Sequence, residues 1–495
     1  MLSNAEMVSS LRILKSFMST DAMAFHHFFS RSGGSNLNSG SRTGSTTPPG
    51  TAADLSYLLG NYVQSTGVFT VASGNPVTDG LAVNDYVSIY ATGATETGFV
   101  SRVTARDATT ITVNTTGVLG TNPTNGTGDR NVQVGGAWAG PSGTVGFPFG
   151  LMRSHFTSGE YTQVNFCNDQ TYSMTAAMTH NVGGIIVFRG YGSAVGDGGK
   201  AIFTGPTTGA SFVLLTLSTA EHELRDLIFQ NNGDSGSSNG VVLTGSRIRV
   251  YNCVFNTFRG NGLASSGTDN WVEKCEAYSC NASGTADNAG ISFTGNGTCI
   301  RCISHHNSAT NTHGFRMNTN TGPHFMNCIA YLNASHGFSL TGQVVRISSC
   351  DSYRNTGSGM LISSSLHNWI QDCNLLRNGG WGINKTTTAG NGFISNCGFG
   401  SGATMQNTSG TIQNGANVDQ INIITYPSNV TPWRDPDNGD FRITLRQAIN
   451  AGLGDFCQTY TGATWTGSVG YPDIGSNQAF DISLPLAGGG SSLIG

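Results

Sequence analysis

The chain has 495 residues, of which 69 are glycine and only 11% are charged, against roughly 25% charged in an ordinary soluble domain. That is too few charges for a disordered polyelectrolyte and too much glycine for a helical bundle. A formal charge of -4 with only 24 Lys plus Arg leaves no basic footprint for nucleic acid, and apolar runs such as Ile185–Phe188 fall far short of the ~18 residues that span a bilayer.

In chain order, Met7, Leu11, Leu14 and Met18 recur at helical spacing and predict a short amphipathic helix with one face to bury. No basic start, apolar stretch and small-residue cleavage site combine there into an export signal. Residues 31–50 are rich in Gly, Ser, Asn and Thr and read as a strap, so residues 1–50 form a first segment of helix and strap. Residues 51–139 read as a small β domain, since Tyr86–Tyr90 and Thr109–Val113 alternate like antiparallel strands.

From about residue 140 to 425 the chain repeats itself. Cys253, Cys275, Cys302, Cys328, Cys350, Cys373 and Cys397 are separated by 22, 27, 26, 22, 23 and 24 residues. Alternating apolar and polar residues lead into each cysteine, as in Ile300-Arg301-Cys302 and Trp369-Ile370-Gln371-Asp372-Cys373. Asn307, Asn333, Asn355 and Asn378 follow five residues after their cysteines. A glycine then precedes an apolar residue, at Leu263, Ile291, Phe315, Phe338, Met360 and Ile383. Asp226 reads as the residue of an earlier coil that stands where the others have cysteine.

A period of 20 to 30 residues without helical patterning means stacked β coils, because one coil cannot bury its own apolar face. The fold class is therefore all-β: a single-stranded parallel β-helix, or solenoid, with a small N-terminal β domain and a terminal helix. Equivalent positions should stack ~4.8 Å apart into cysteine, asparagine and apolar ladders. The cysteines read as a soft core column, because eleven cysteines cannot all pair and only Cys299-Ile300-Arg301-Cys302 has a metal-like spacing. No metal and no cofactor is expected. Residues 426–495, with Pro427, Pro432, Pro436 and Pro472, are expected to cap the coils, whose open strand edges would otherwise invite aggregation.

The coils resemble the right-handed, pectate-lyase-like β-helix superfamily over roughly residues 140–480. Gly190-Tyr191-Gly192 with Gly196-Asp197-Gly198-Gly199 resembles its first coils. Gly439-Asp440-Phe441-Arg442, Ala448–Gly452 and Pro472–Gly475 resemble its closing segment. Ser32–Asn36 and Asn38-Ser39-Gly40 look like a flexible opening. The resemblance extends to phage tailspikes and other virion-associated β-helices, and it implies a homotrimer.

Candidate catalytic residues are few. Asp234, Asp269 and Asp287 fall in the longer turns of successive coils as the one plausible acid cluster, although aspartates beside Ser, Thr, Asn and Gly ordinarily make Asx turns. Asp435–Asp440 departs from calcium-loop spacing and reads as a solvated turn. The position before the coil glycine, held by Asn261, Ala289, His313, His336, Ser358 and Trp381, would make an outward stripe, in which His313, His336 and Trp381 are glycan-binding candidates.

The leading expectation is a virion structural protein: a phage tailspike, tail fibre or capsid decoration protein, attached to other virion proteins through its N-terminus, presenting a β-helix that binds host surface polysaccharide, and assembled in the host cytoplasm. The alternatives are a polysaccharide-degrading lyase or hydrolase on the same fold, with Asp234, Asp269 and Asp287 as its site, and a bacterial cell-surface adhesin. The scarcity of carboxyl pairs weighs against an enzyme, and the missing export signal against the adhesin.

Overall fold

The structure is a computed structural model. It describes residues 25–32, 35, 38–40, 48–94, 99–117, 122–135, 137–138 and 161–443, the last without 182–183, 284–287, 319–323, 342–343, 364–366, 388–391, 402–405, 414–417, 422 and 427–430. The helix expected over residues 7–18 lies outside the described residues. The chain divides into two compact units, Leu2–Gly297 and Thr298–Gly495.

Each unit contains a run of parallel β coils, as the repeat predicts, and the structure shows three strands per turn. In the first, Ile185–Tyr191, Glu223–Arg225, Arg249–Tyr251 and Asn270–Glu273 follow one another in one sheet. Ala201–Thr204, Leu227–Gln230, Val254–Asn256 and Glu276–Tyr278 follow in a second, and Leu215–Leu217, Val241–Leu243, Leu263–Ser265 and Ala289–Phe293 in a third. The second unit repeats this plan; its first sheet contains His324–Met326, Val345–Ser348, Asn368–Gln371 and Gly392–Ser395.

Two left-handed residues shape each of seven successive coils. Positive φ occurs at Asp226, Asn252, Lys274, Arg301, Asn327, Ser349 and Asp372, and again five residues later at Asn231, Thr257, Ser279, His306, Leu332, Arg354 and Arg377. One such residue on each side of a three- or four-residue strand turns the chain from the first sheet to the second and out of it. The conformation costs a side-chain-bearing residue about 1–2 kcal/mol. The ladder offsets that cost, since turn-residue N–H groups donate to the next coil, as in Asn252 to Glu273 (2.9 Å) and Arg301 to Met326 (2.9 Å). Asp226 occupies this turn position, paired with Asn252, and Leu227 is the residue in line with Cys253; the expected alignment of Asp226 with the cysteines is off by one.

The cysteine, asparagine and apolar columns form as expected. All seven repeat cysteines are buried, and each thiol donates to the carbonyl two residues before it, from Cys373 to Gln371 (3.1 Å) up to Cys253 to Tyr251 (3.4 Å). A small donor is thus needed right after the turn. Burial pushes the Cys253, Cys373 and Cys397 thiols up, so they are core groups and not nucleophiles. Phe315, Phe338, Met360 and Ile383 stack inside the third sheet of the second unit, all fully buried.

The strap region differs from expectation. Phe25–Ser30 is a strand that pairs in parallel with Tyr161–Cys167, because Phe28 and Phe29 need burial. Asn38 and Ser39, expected within a flexible opening, are buried: the Asn38 amide donates to Thr51 and Ala137 (both 2.8 Å), and the Trp138 indole N–H donates to the Asn38 carbonyl. Gly40, at φ +78°, lies under the Trp138 ring, where a Cβ would come within 2.5 Å. Between these pieces stands a closed antiparallel barrel of Leu55–Val63, Val68–Thr70, Thr110–Val113, Phe99–Arg106, Tyr86–Ala91 and Gly126–Val134, cored by residues such as Tyr57, Tyr62, Phe69 and Ile111.

At the other end, Trp433–Asp435 and Asp440–Ile443 form a hairpin. It lies along the side of the coils: Trp433 and Phe441 cluster with Ile329, Tyr353 and Leu376 from the outer face of the second sheet, an apolar strip that water would otherwise cover. Asp437 is held by Arg354 (2.6 Å) and the Tyr353 hydroxyl (3.1 Å), so the acidic turn clamps the hairpin to the coils.

Candidate functional site

Asp234 and Asp269, two members of the acid cluster expected from the turns, do not come together. Asp234 lies in a turn from the second sheet to the third, where its carboxylate accepts from the Gly209 amide of the preceding coil (2.7 Å), a bond between coils and not an Asx turn. Asp269 lies in a turn from the third sheet to the first, at positive φ. These are different corners of the coil. Asp287 lies outside the described residues.

The stripe before the coil glycine is corrected as well. His313 is only 4% exposed, and Asn261, Ala289 and Ser358 are buried; His336 and Trp381 are half-buried. The polar members of the column point along it and accept backbone N–H groups of the next coil. His313 Nδ1 accepts from His336 N (3.4 Å), His336 Nδ1 from Ser358 N (2.8 Å), and Ser358 Oγ from Trp381 N (3.1 Å). The two imidazoles stack at 5.4 Å. Burial lowers His313 to about 3, with further lowering by His336 and Arg316, and burial also lowers His336.

A different group of residues comes together on the outer face of the first sheet in the Leu2–Gly297 unit. Leu224, Val250 and Val272 point inward and are fully buried, so alternation turns their neighbours out. Register then stacks Glu223, Arg249 and Trp271 in one column and Arg225, Tyr251 and Glu273 in the next, with Arg189 paired to Arg225. Three cations surround the Tyr251 ring: Arg225 Cζ at 4.4 Å, Lys274 Nζ at 5.2 Å and Arg249 Cζ at 5.3 Å from its centroid. The Lys274 ammonium also donates to the Tyr251 hydroxyl (2.9 Å). Glu273 accepts from the Trp271 indole (3.1 Å) and from Arg249 (3.4 Å), which fixes both. Arg189 reaches Asp226 at 3.6 Å and Arg225 reaches Glu223 at 3.4 Å.

Loop chemistry fixes the backbone that follows Arg189. Gly190 packs where a Cβ would strike the Asp226 carbonyl, and the Asp197 carboxylate accepts from the amides of Gly192, Ser193, Ala194 and Gly199, which lower it well below its ordinary value. This is the physical content of the Gly190–Gly199 motif.

The cluster sets four cations against three carboxylates, one of which is weakened as an anion. Glu223 is 6% exposed, and burial raises its carboxyl above the ordinary value, partly offset by Arg225, Arg249 and Arg189. Its Oε1 is buried and faces the Arg225 guanidinium at 3.4 Å. The face therefore favours anions, with an aromatic floor between the charges. Glu223, Arg225, Arg249, Tyr251 and Trp271 are not candidates until coils 22 and 26 residues apart are laid over one another. Among the described residues no three His, Cys, Asp or Glu side chains form a metal-binding group, and no helix is long and apolar enough to cross a membrane.

No family model and no curated protein matches the chain. Among solved structures, the pectate lyase Pel9A shares 17% identity at a TM-score of 0.46, over 66% of this chain and 90% of its own. Geobacillus virus E2 ORF18 shares 14% at 0.41, over 55% of each chain, and the Dettilon tailspike protein shares 10% at 0.37, over 57% of this chain and 58% of its own. At these identities and TM-scores the likenesses carry no argument about activity, and the parallel β-helix stands on the strand pairing of the chain itself.

Proposed function

We propose that this chain is the receptor-binding β-helix of a virion protein of the tailspike type, and that it grips acidic polysaccharide of the host surface around Tyr251. The convergence of Arg225, Arg249 and Lys274 on one tyrosine ring carries this reading. A polysaccharide that bears carboxylates repeats its charge along its length. A sheet face whose cations are already positioned by register and ion pairs meets that charge with little ordering cost. Virion attachment through the N-terminal segment and assembly as a homotrimer belong to the same proposal, which rests for them on the resemblance of the coils to tailspikes.

The test is affinity electrophoresis of the full chain in gels containing polygalacturonate or neutral dextran, with light scattering to give the number of chains. Retardation by polygalacturonate alone, weakened by salt and reduced more than about tenfold in the Arg225→Ala/Lys274→Ala double variant, is the expected result. Equal mobility in both gels would sink the reading.

Glu223 supplies a second, sharper prediction. Glu223→Gln removes a carboxylate from the cluster and should strengthen polygalacturonate binding at pH 7 by roughly two- to fivefold. Because the raised carboxyl takes up its proton as pH falls, wild type and variant should converge at lower pH. A constant ratio from pH 8 to pH 5 would remove Glu223 from the site.

Cleavage of the bound polysaccharide is the second reading, favoured by that same buried carboxyl beside three arginines, a setting suited to acid–base work. New reducing or unsaturated ends, lost in Glu223→Gln while binding persists, would establish it.

A further inference from the structure

The Thr298–Gly495 unit carries a separate feature on the outer face of its own first sheet. One outward position is held in successive coils by His324, Arg346, Trp369 and Phe393, paired residue for residue in the parallel ladder. Trp369 is 51% exposed, while its strand neighbours Asn368 and Ile370 are buried at 3% and 0%. Among the described residues it is the one large apolar side chain this unit leaves so open. The indole has an aromatic neighbour on one side, Phe393, with ring centroids 5.4 Å apart and planes inclined at 52°. On the other side, one coil or ~4.8 Å away, stands the guanidinium-bearing Arg346, followed by His324.

Core packing does not account for this residue. The interior of the sheet is filled by Phe325, Ile347 and Ile370, and the strand is held by backbone pairing. A large apolar ring left in water on a rigid sheet, walled by a second ring and flanked by a cation, is the surface that a sugar ring with a carboxylate at its edge would recognise. The apolar C–H face of a pyranose covers the indole, and the carboxylate meets Arg346.

We propose that Trp369 is the stacking platform of a second polysaccharide-binding site, with Phe393 as its side wall and Arg346 as the partner of a uronic acid carboxylate. The proposal rests on the reading that the chain binds acidic polysaccharide, and it adds a site built from different residues on a different unit.

Isothermal titration of the full chain with polygalacturonate tests it, alongside Trp369→Ala, Trp369→Phe and Arg346→Gln. Trp369→Ala should lower affinity or remove one class of sites, by about tenfold, with Trp369→Phe retaining most of the binding. Arg346→Gln should weaken binding several-fold and flatten its salt dependence. Thermal unfolding of each variant shows whether the fold is kept, as an exposed position predicts. If wild type binds and Trp369→Ala binds equally well, this inference falls and the first site stands. If wild type does not bind, the underlying reading falls. Should Trp369→Ala change the number of chains in light scattering and leave affinity intact, the ring is a subunit contact and the proposal is overturned.

Discussion

Replacing Asn333 with alanine is expected to destabilise the Thr298–Gly495 unit by about 3–5 kcal/mol, among the largest effects of any single substitution in the coils. Asn333 is 1% exposed and makes bonds in both directions along its column. Its Oδ1 accepts from the Asn307 amide (2.7 Å), and its Nδ2 donates to Asn355 Oδ1 (2.8 Å) and to the Ser304 carbonyl (3.1 Å). The same motif passes from Asn355 to Asn378 and from Asn378 to Asn407, each at 3.0 Å. Alanine removes the buried acceptor of the Asn307 amide, which keeps only Ser304 Oγ (3.1 Å), and the side-chain donor to the Ser304 carbonyl on the same side, while on the other side Asn355 Oδ1 keeps only the N–H of residue 333 (3.0 Å). Each buried group left short of a partner costs about 1–3 kcal/mol. Amide hydrogen exchange on the full chain reads the loss locally: protection around residues 304–307 and 330–355 should fall by two orders of magnitude or more. A change below tenfold would mean that the ladder contributes little. Asn333→Asp should be worse at neutral pH, since a carboxylate cannot donate to Asn355 or Ser304, and should recover as the buried acid is protonated.

That ladder is legible in the amino-acid sequence alone, because a buried side chain that must bond to its own copy in the next coil leaves one residue type at one spacing. The cysteine and glycine–apolar columns are legible for the same reason. Where the sequence misleads, the determinant is backbone conformation or register. The left-handed turn is filled by Asp226, Asn252, Lys274, Arg301 and Ser349 alike, so no residue type marks it, and Asp226 reads one position late. His313 is expected outside because it precedes a glycine; the backbone there turns its ring along the column to accept the next N–H. The cationic face escapes a reading of the sequence because its members belong to four coils and converge only through a register that spacing alone leaves open by a residue or two.

Lowering the pH from 7 to 4.5 is expected to weaken both units, because each contains a buried neutral histidine. His222 is fully buried, with Ile186 N donating to its Nδ1 (3.4 Å), Thr219 Oγ1 at 2.6 Å from its Nε2, and His180 packed edge-on at 4.8 Å. Burial, with a smaller contribution from His180, lowers it to about 3. His313 is lowered to about 3 as well, and protonating its Nδ1 would abolish the bond from His336 N. An unfolded histidine binds its proton near pH 6.5, so between about 6.5 and 3 the unfolded chain takes up protons that the native chain refuses. Stability is therefore full above pH 6.5 and falls as pH drops, by about 1.4 kcal/mol per pH unit for each histidine once well below that value. Over the two units from pH 6.5 to 4.5 the loss approaches roughly 2.7 kcal/mol per site. Hydrogen exchange or limited proteolysis at pH 7.5, 5.5 and 4.5 separates the contributions. His313→Gln, whose amide oxygen can still accept from His336 N, should flatten the pH dependence of residues 298–443 alone. His222→Gln should do so for residues 161–297 alone. If neither unit loosens between pH 6.5 and 4.5, both imidazoles are protonated at no cost in the native chain and the accepting role assigned to their Nδ1 atoms is wrong.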